Sequence, residues 1–223
     1  MPIAGKGMLL TSMDIDQADE VDFNRWYDRE HLQERVAIDG FIEARRYVAL
    51  QGSPKYLCLY STATIDVLDS SAYKARLASP TEWSKRTMAR FKNMIRSVAR
   101  ITISRGNGRG AVLGIVRLRP SSAGEENLRR SLGDAFDLSS LDGVISMHLI
   151  ESDVKLSGPT KEISSAASSG AADWFVLIDA TDESAASAAI AERFARGDSF
   201  KSLTISTGIY RLIWDLSRND IPA

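Results

Sequence analysis

Arg105-Gly106-Asn107-Gly108-Arg109-Gly110 is a glycine-rich break near the middle of a 223-residue chain, and the sequence on its two sides carries one order of elements twice. Ahead of it, residues 7–15 (GMLLTSMDI) read as a strand, and 19–36 as a helix whose Asp19 and Glu20 suit its positive N-terminal end. Gly40 stops that helix, 41–50 (FIEARRYVAL) is extended again, and Gln51-Gly52-Ser53-Pro54 is a turn by composition. Residues 55–64 (KYLCLYSTAT) form a strand buried on both faces. A helix follows over 70–91, interrupted at Pro80, and 94–104 (MIRSVARITIS) is the fourth strand.

Behind the break the order begins again. Residues 110–119 (GAVLGIVRLR) match the first strand, and Gly108-Arg109-Gly110 echoes Gly5-Lys6-Gly7. Residues 123–136 are the first helix of this half, and Asp142-Gly143-Val144 stands where Asp39-Gly40-Phe41 stood. Trp174-Phe175-Val176-Leu177-Ile178 corresponds to Tyr56-Leu57-Cys58-Leu59-Tyr60; 184–196 is the second helix and 206–216 the last strand. Equivalent points lie about a hundred residues apart, which favours duplication over coincidence. The symmetry breaks at 156–172 (LSGPTKEISSAASSGAA), a Ser/Ala/Gly-rich insertion that reads as a mobile hairpin tip or as a flap over a pocket mouth.

A β-α-β-β-α-β unit is the ferredoxin-like split βαβ motif, a four-stranded antiparallel sheet with both helices on one face. The other face is left apolar, and packing two such sheets face to face buries it. The predicted architecture is therefore α+β, with two ferredoxin-like repeats, 1–105 and 106–223, forming an α/β barrel within one chain.

Composition narrows the function. Apolar residues make up 44% and charged residues 26%, enough for a sizeable core. A net charge of −1 provides no basic footprint for nucleic acid. There is no apolar run of about 18 residues to span a membrane, and residues 1–6 lack the apolar core of a signal peptide. The single cysteine, Cys58, excludes an internal disulfide and a cysteine-based zinc cluster. The expectation is a cytoplasmic protein that needs no metal.

Within the first half, Phe23-Asn24-Arg25-Trp26-Tyr27-Asp28-Arg29-Glu30-His31-Leu32-Gln33-Glu34 stands out. At helical spacing Phe23, Trp26, Tyr27, Glu30, His31 and Glu34 share one face. Burying Glu30 and His31 without partners would cost several kcal/mol, on the order of the penalty for unsatisfied polar groups. The face either meets water at a rim or lines a cavity that uses its polarity, and the cavity is the favoured reading.

The chain resembles the dimeric α/β-barrel superfamily, fused in tandem. Phe23-x-x-Trp26-Tyr27-Asp28-x-Glu30-His31-Leu32, followed by Gly40-Phe41 and Arg45-Arg46-Tyr47, is similar to its EthD-like and related uncharacterised branches. That superfamily hosts cofactor-free monooxygenases, lactone isomerases, polyketide cyclases, lyases and haem enzymes, so the resemblance speaks to fold more than to reaction. It implies a pocket between sheet and helices with a histidine of the first helix projecting into it, here His31.

His31 titrates near neutrality and can take and return a proton, with Glu30 or Glu34 to hold its tautomer. Tyr27 can donate to a developing oxyanion. Phe23 and Trp26 supply flat walls, and Trp83 on the second helix is either a further wall or core. Arg45 and Arg46 are adjacent on one strand and must point to opposite faces, so one of them can clamp an anion in the pocket. The second half has Glu125 to Leu132 where the first has its aromatic-histidine segment, and His148 falls at the place of Arg45. It reads as a degenerate copy.

The leading expectation is a cofactor-independent enzyme using His31 for proton transfer on a small aromatic, lactone or polyketide-like substrate, as a lyase, isomerase or cyclase. The alternatives are cofactor-free oxygenation of a phenol and ligand binding without turnover. Expected partners are a small aromatic or acidic molecule and, at most, a second fused barrel; no nucleic acid, membrane, metal or cofactor is called for.

Overall fold

The computed structural model describes residues 3–121, 124–159, 170–196 and 198–221, the side chains of 198 and 199 excepted. Strand β1 (Gly7–Asp14) leads into helix α1 (Glu20–Trp26), a π-type turn over Tyr27–His31, and α2 (Leu32–Val36). Strands β2 (Phe41–Gln51) and β3 (Tyr56–Thr62), helices α3 (Ser71–Ala78) and α4 (Glu82–Met88), and β4 (Lys92–Gly106) complete the first half. The second half runs through β5 (Val112–Leu118), α5 (Glu125–Ala135), β6 (Val144–Ser152) and the short α6 (Val154–Ser157). It closes with β7 (Trp174–Ala180), α7 (Glu183–Ile190), a π-type turn over Ala191–Ala195, α8 (Asp198–Lys201) and β8 (Thr204–Ser217).

The helix expected over 70–91 is two helices, because Pro80 cannot continue the first and Thr81 caps the second. Its Oγ1 accepts a bond from the Ser84 backbone at 2.9 Å. Of the flap expected over 156–172, residues 160–169 lie outside the described residues. Leu156 and Ser157 are part of α6, which is pinned to β4 by Ser157 Oγ donating to the Val98 carbonyl at 3.0 Å.

All eight strands are antiparallel and close in the order β1-β3-β2-β8-β5-β7-β6-β4. Within each half the spatial order is fourth, first, third, second. The long strands β4 (15 residues) and β8 (14 residues) join the halves through β4–β6 and β2–β8 pairing, which leaves no open edge. Gly40 and Gly143 occupy the same place in their halves, both with positive φ, and a Cβ at Gly40 would lie 2.5 Å from Val67 Cγ2.

Strand alternation sorts the side chains into a barrel interior and two outer layers. On β1, Met8 and Leu10 face inward with Tyr47, Leu59, Phe175 and Leu177, while Leu9 and Met13 face the helices of the first half. The matching layer of the second half is filled by Leu128, Leu132, Phe136, Trp174 and Phe194.

Candidate active site

The π-type turn sets which residues of the first helix face the sheet. A π turn takes one residue more than an α turn, so everything beyond it rotates back by about 100° relative to a straight helix. The buried face is therefore Phe23, Trp26, Tyr27, His31, Leu32, Arg35 and Val36. Glu30 moves to the flank, where its Oε1 accepts from Trp26 Nε1 (3.1 Å), Ser84 Oγ (3.1 Å) and Thr81 Oγ1 (2.6 Å). Glu34 pairs with Arg76 at 3.4 Å. The expectation that either carboxylate holds the His31 tautomer is corrected here: both are committed to other partners.

Between this face, α3, α4 and the strands β1, β3 and β4 lies a narrow cleft with an interior volume of about 70 Å³. Trp26, Tyr27, His31 and Arg35 line it from the helix, Leu9, Thr11, Met13 and Tyr60 from the sheet, and Phe91 and Arg96 from the region around the start of β4. His31 is 8% exposed, stacks on Trp26 at 4.1 Å and 29°, and meets the edge of Tyr27 at 5.2 Å. Burial, then the positive charges of Arg35 and Arg46, hold its pKa well below the usual imidazole value, so it is neutral at physiological pH.

Burial also raises the phenols of Tyr27 and Tyr60, which stay protonated as hydrogen-bond donors, and lifts the Cys58 thiol to about 11. The Tyr27 hydroxyl donates to Met13 Sδ at 3.8 Å, a weak acceptor, and also interacts with the hydroxyls of Tyr60 and Thr11. Two polar atoms at this cleft, His31 Nδ1 and Arg35 Nη1, are buried with no partner among the described residues, whereas the hydroxyls of Thr11 and Tyr60 interact with Tyr27, and that of Tyr60 also with Cys58. Each such orphan costs about 1–3 kcal/mol, and native folds leave few of them. Among the described residues the lining contains two guanidinium groups and no carboxylate.

The other expected site residues lie elsewhere. Phe23 is core, 4.8 Å from Tyr56 and 5.9 Å from Phe91. Trp83 packs on the outside of that core and donates to Asp22 Oδ1 at 3.2 Å. Arg46 faces the helices, as one of the arginine pair had to, but its guanidinium is spent. It donates to Asn24 Oδ1 (2.6 Å) and Asp28 Oδ1 (3.3 Å) and lies 4.2 Å over the Tyr27 ring. Arg45 points into the barrel, to Asp179 Oδ1 (3.4 Å), Glu43 Oε1 (3.6 Å) and Tyr47 Oη (3.3 Å).

Neither arginine lines the cleft, which corrects their expected role as pocket clamps. His148 is also inside the barrel, 3.0 Å from Ser104 and Ser146 hydroxyls, with its pKa lowered to about 4, chiefly by burial. Sequence reading missed Thr11, Tyr60, Arg35 and Arg96; only the π-type turn brings Arg35 onto the face, and nothing in the local pattern announces it. Among the described residues no cluster of three His, Cys, Asp or Glu could hold a metal ion, and no helix is long and apolar enough to cross a membrane.

No protein-family profile matches the chain, and no curated protein sequence does. Solved structures do. An "anthrone oxidase-like protein" superposes with a TM-score of 0.69 at 9% identity, covering 99% of this chain and 97% of its own. A "putative monooxygenase" from Lactobacillus acidophilus gives 0.57 at 8% identity over 96% and 97% of the two chains. A "putative chlorite dismutase" gives 0.57 at 12% identity over 95% and 96%. These neighbours share the ferredoxin-like α+β barrel, and at such identities the likeness is one of fold.

Proposed function

We infer that the cleft under α1 and α2 is a catalytic site for cofactor-independent oxygenation of a small phenolic substrate, with His31 as the proton acceptor. The observation that carries this reading is a neutral imidazole with an unpartnered buried Nδ1, beside two phenols, in a cleft whose other walls are aromatic and aliphatic. With its proton on Nε2, His31 presents a lone pair at the buried Nδ1. It takes the proton of a phenol, or of an activated CH2 conjugated to one. Burial lowers the stability of a lone imidazolium, but here it forms beside the substrate anion, and opposite charges attract strongly in a poorly solvated cleft. Tyr27 and Tyr60 then donate to the oxyanion.

The electron-rich carbon so formed reacts with dioxygen. Oxygen adds at that carbon, the peroxide takes the proton back from His31, and loss of water leaves a carbonyl, so CH2 and O2 become C=O and H2O. The names of the solved neighbours, an anthrone oxidase-like protein and a putative monooxygenase, favour oxygenation over the lyase or isomerase reading, which would use the same proton acceptor.

The test is oxygen uptake with 1,8-dihydroxyanthrone as the probe substrate. Uptake should require the protein and fall by about 10²–10⁴ in His31→Ala. Uptake equal in wild type and His31→Ala rejects the reading. His31-dependent turnover that continues without oxygen transfers the site to non-oxidative proton transfer.

Residues 1–105 and 106–223 are read as two copies of one unit, which their common strand order and the Gly40/Gly143 equivalence support. In the second, Leu128, Leu132 and Phe136 fill the layer where the first carries His31 and its cleft. The tandem arrangement, with catalysis in one copy, is part of the same proposal.

A further inference from the structure

Arg35 is 7% exposed, its Nη1 is buried without a partner, and its side chain makes no ion pair or hydrogen bond among the described residues. Of the carboxylates near it in sequence, Glu34 is spent on Arg76 and Glu30 on Trp26, Ser84 and Thr81, while Asp39 is exposed and forms no ion pair with it. Across the same cleft Arg96, 3% exposed, gives one N–H to the Leu156 carbonyl at 2.9 Å and has no carboxylate either. A buried guanidinium without a counter-charge is costly unless something else supplies one. The uncompensated positive charge lies in a cleft whose other walls are aromatic and aliphatic.

We propose that the ligand of this cleft is an aromatic carboxylate, its carboxyl group held by Arg35 with Arg96 as the second positive charge, and its phenolic end at His31. This rests on reading the cleft as the substrate site and adds the class of substrate. A carboxylate suits the fork of a guanidinium and forms charge-assisted bonds that a neutral isostere cannot. It also accounts for the absence of acidic residues from the lining, since one there would neutralise Arg35 and repel the ligand. Arg35 takes the anion-binding role that Arg45 and Arg46, engaged elsewhere, do not fill.

The experiment is calorimetric titration of the full chain with 3-hydroxybenzoate and 3-hydroxybenzamide, in wild type, Arg35→Met, Arg35→Lys and His31→Ala. Wild type should bind the acid at least about tenfold more tightly than the amide, as charge-assisted pairing implies. Arg35→Met should bind the two alike, Arg35→Lys should keep part of the preference, and His31→Ala should keep it whole.

Thermal melts guard against misfolding: Arg35→Met should melt at or above wild type, because it removes an unpaired buried charge. Equal binding of acid and amide by wild type, a preference undiminished in Arg35→Met, or binding of neither probe overturns the assignment. Its failure is separable from that of the oxygenase reading. Loss of the acid preference with His31-dependent oxygen uptake intact removes only the substrate class. An acid preference without uptake removes only the chemistry.

Discussion

The imidazole of His31 lies 4.1 Å from the Trp26 indole, 29° from parallel, while the indole N–H donates to Glu30 at 3.1 Å. Glu30 therefore orients the ring on which the histidine rests and does not touch the histidine. Glu30→Gln keeps an oxygen acceptor for Trp26, Ser84 and Thr81 and should leave turnover within about twofold of wild type. Glu30→Ala removes an acceptor shared by three donors, of which only Trp26 Nε1 keeps another, Ser84 Oγ at 3.1 Å, and should lower stability by roughly 1–3 kcal/mol in urea unfolding. A collapse of kcat in Glu30→Gln with normal stability would return the carboxylate to the chemistry.

Both histidines are held neutral by burial, His148 with a pKa of about 4 and His31 well below its ordinary value. In the unfolded chain they protonate near 6.5, so the unfolded state binds more protons as the pH drops below that value. Their contribution to stability is complete above about pH 6.5 and is lost as pH falls, by on the order of 1.4 kcal/mol per pH unit for each. Two imidazole NMR signals that fail to titrate between pH 7.5 and 5 are expected, and His31→Gln should flatten the fall in unfolding free energy over the same interval. A His31 signal with a midpoint near 6.5 would contradict its placement.

Arg46 is a structural clamp. It ties Asn24 and Asp28 of the first helical segment to β2, and Asp28 also accepts from Trp214 Nε1 of β8 at 2.9 Å. Arg46→Met should destabilise the protein by about 1–3 kcal/mol, the scale of losing hydrogen bonds made by a charged donor whose carboxylate partner, Asp28, is itself half exposed. Any ligand that still binds to the variant should keep its preference for acid over amide, in contrast to Arg35→Met.

Asp179 balances Arg45 inside the barrel, and both side chains are shut off from solvent. Asp179→Ala leaves the interior guanidinium with Glu43 as its one carboxylate partner among the described residues, beside the Tyr47 hydroxyl, and should cost roughly 3–5 kcal/mol, measured by chemical denaturation. Asp179→Asn should cost less, because an amide oxygen can still accept from Arg45. An unfolding free energy unchanged in Asp179→Ala would mean that Arg45 has another partner.

Much of the architecture was legible in the chain. The order of strands and helices and the positive-φ glycines at 40 and 143 are local signals, and local backbone preferences carry them. The alternation that sends Arg45 and Arg46 to opposite faces follows from the two-residue period of a strand and holds in the structure. So does the placement of Trp26, Tyr27 and His31 on one buried face.

What the sequence by itself determined is an α+β order of strands and helices and an aromatic helix face carrying one histidine. Tertiary structure decided which polar groups share that face. One extra residue in the turn at Tyr27–His31 rotates Glu30 and Glu34 outward and Arg35 inward, and no periodic reading of a straight helix contains that shift. Tyr60, Thr11 and Arg96 come from strands β3, β1 and β4, which meet only when the sheet forms. Charge pairing is likewise non-local: Arg45 finds Asp179 at a separation of 134 residues because β2 and β7 face the same interior. Periodicity records where a side chain points; what it meets there depends on the rest of the chain.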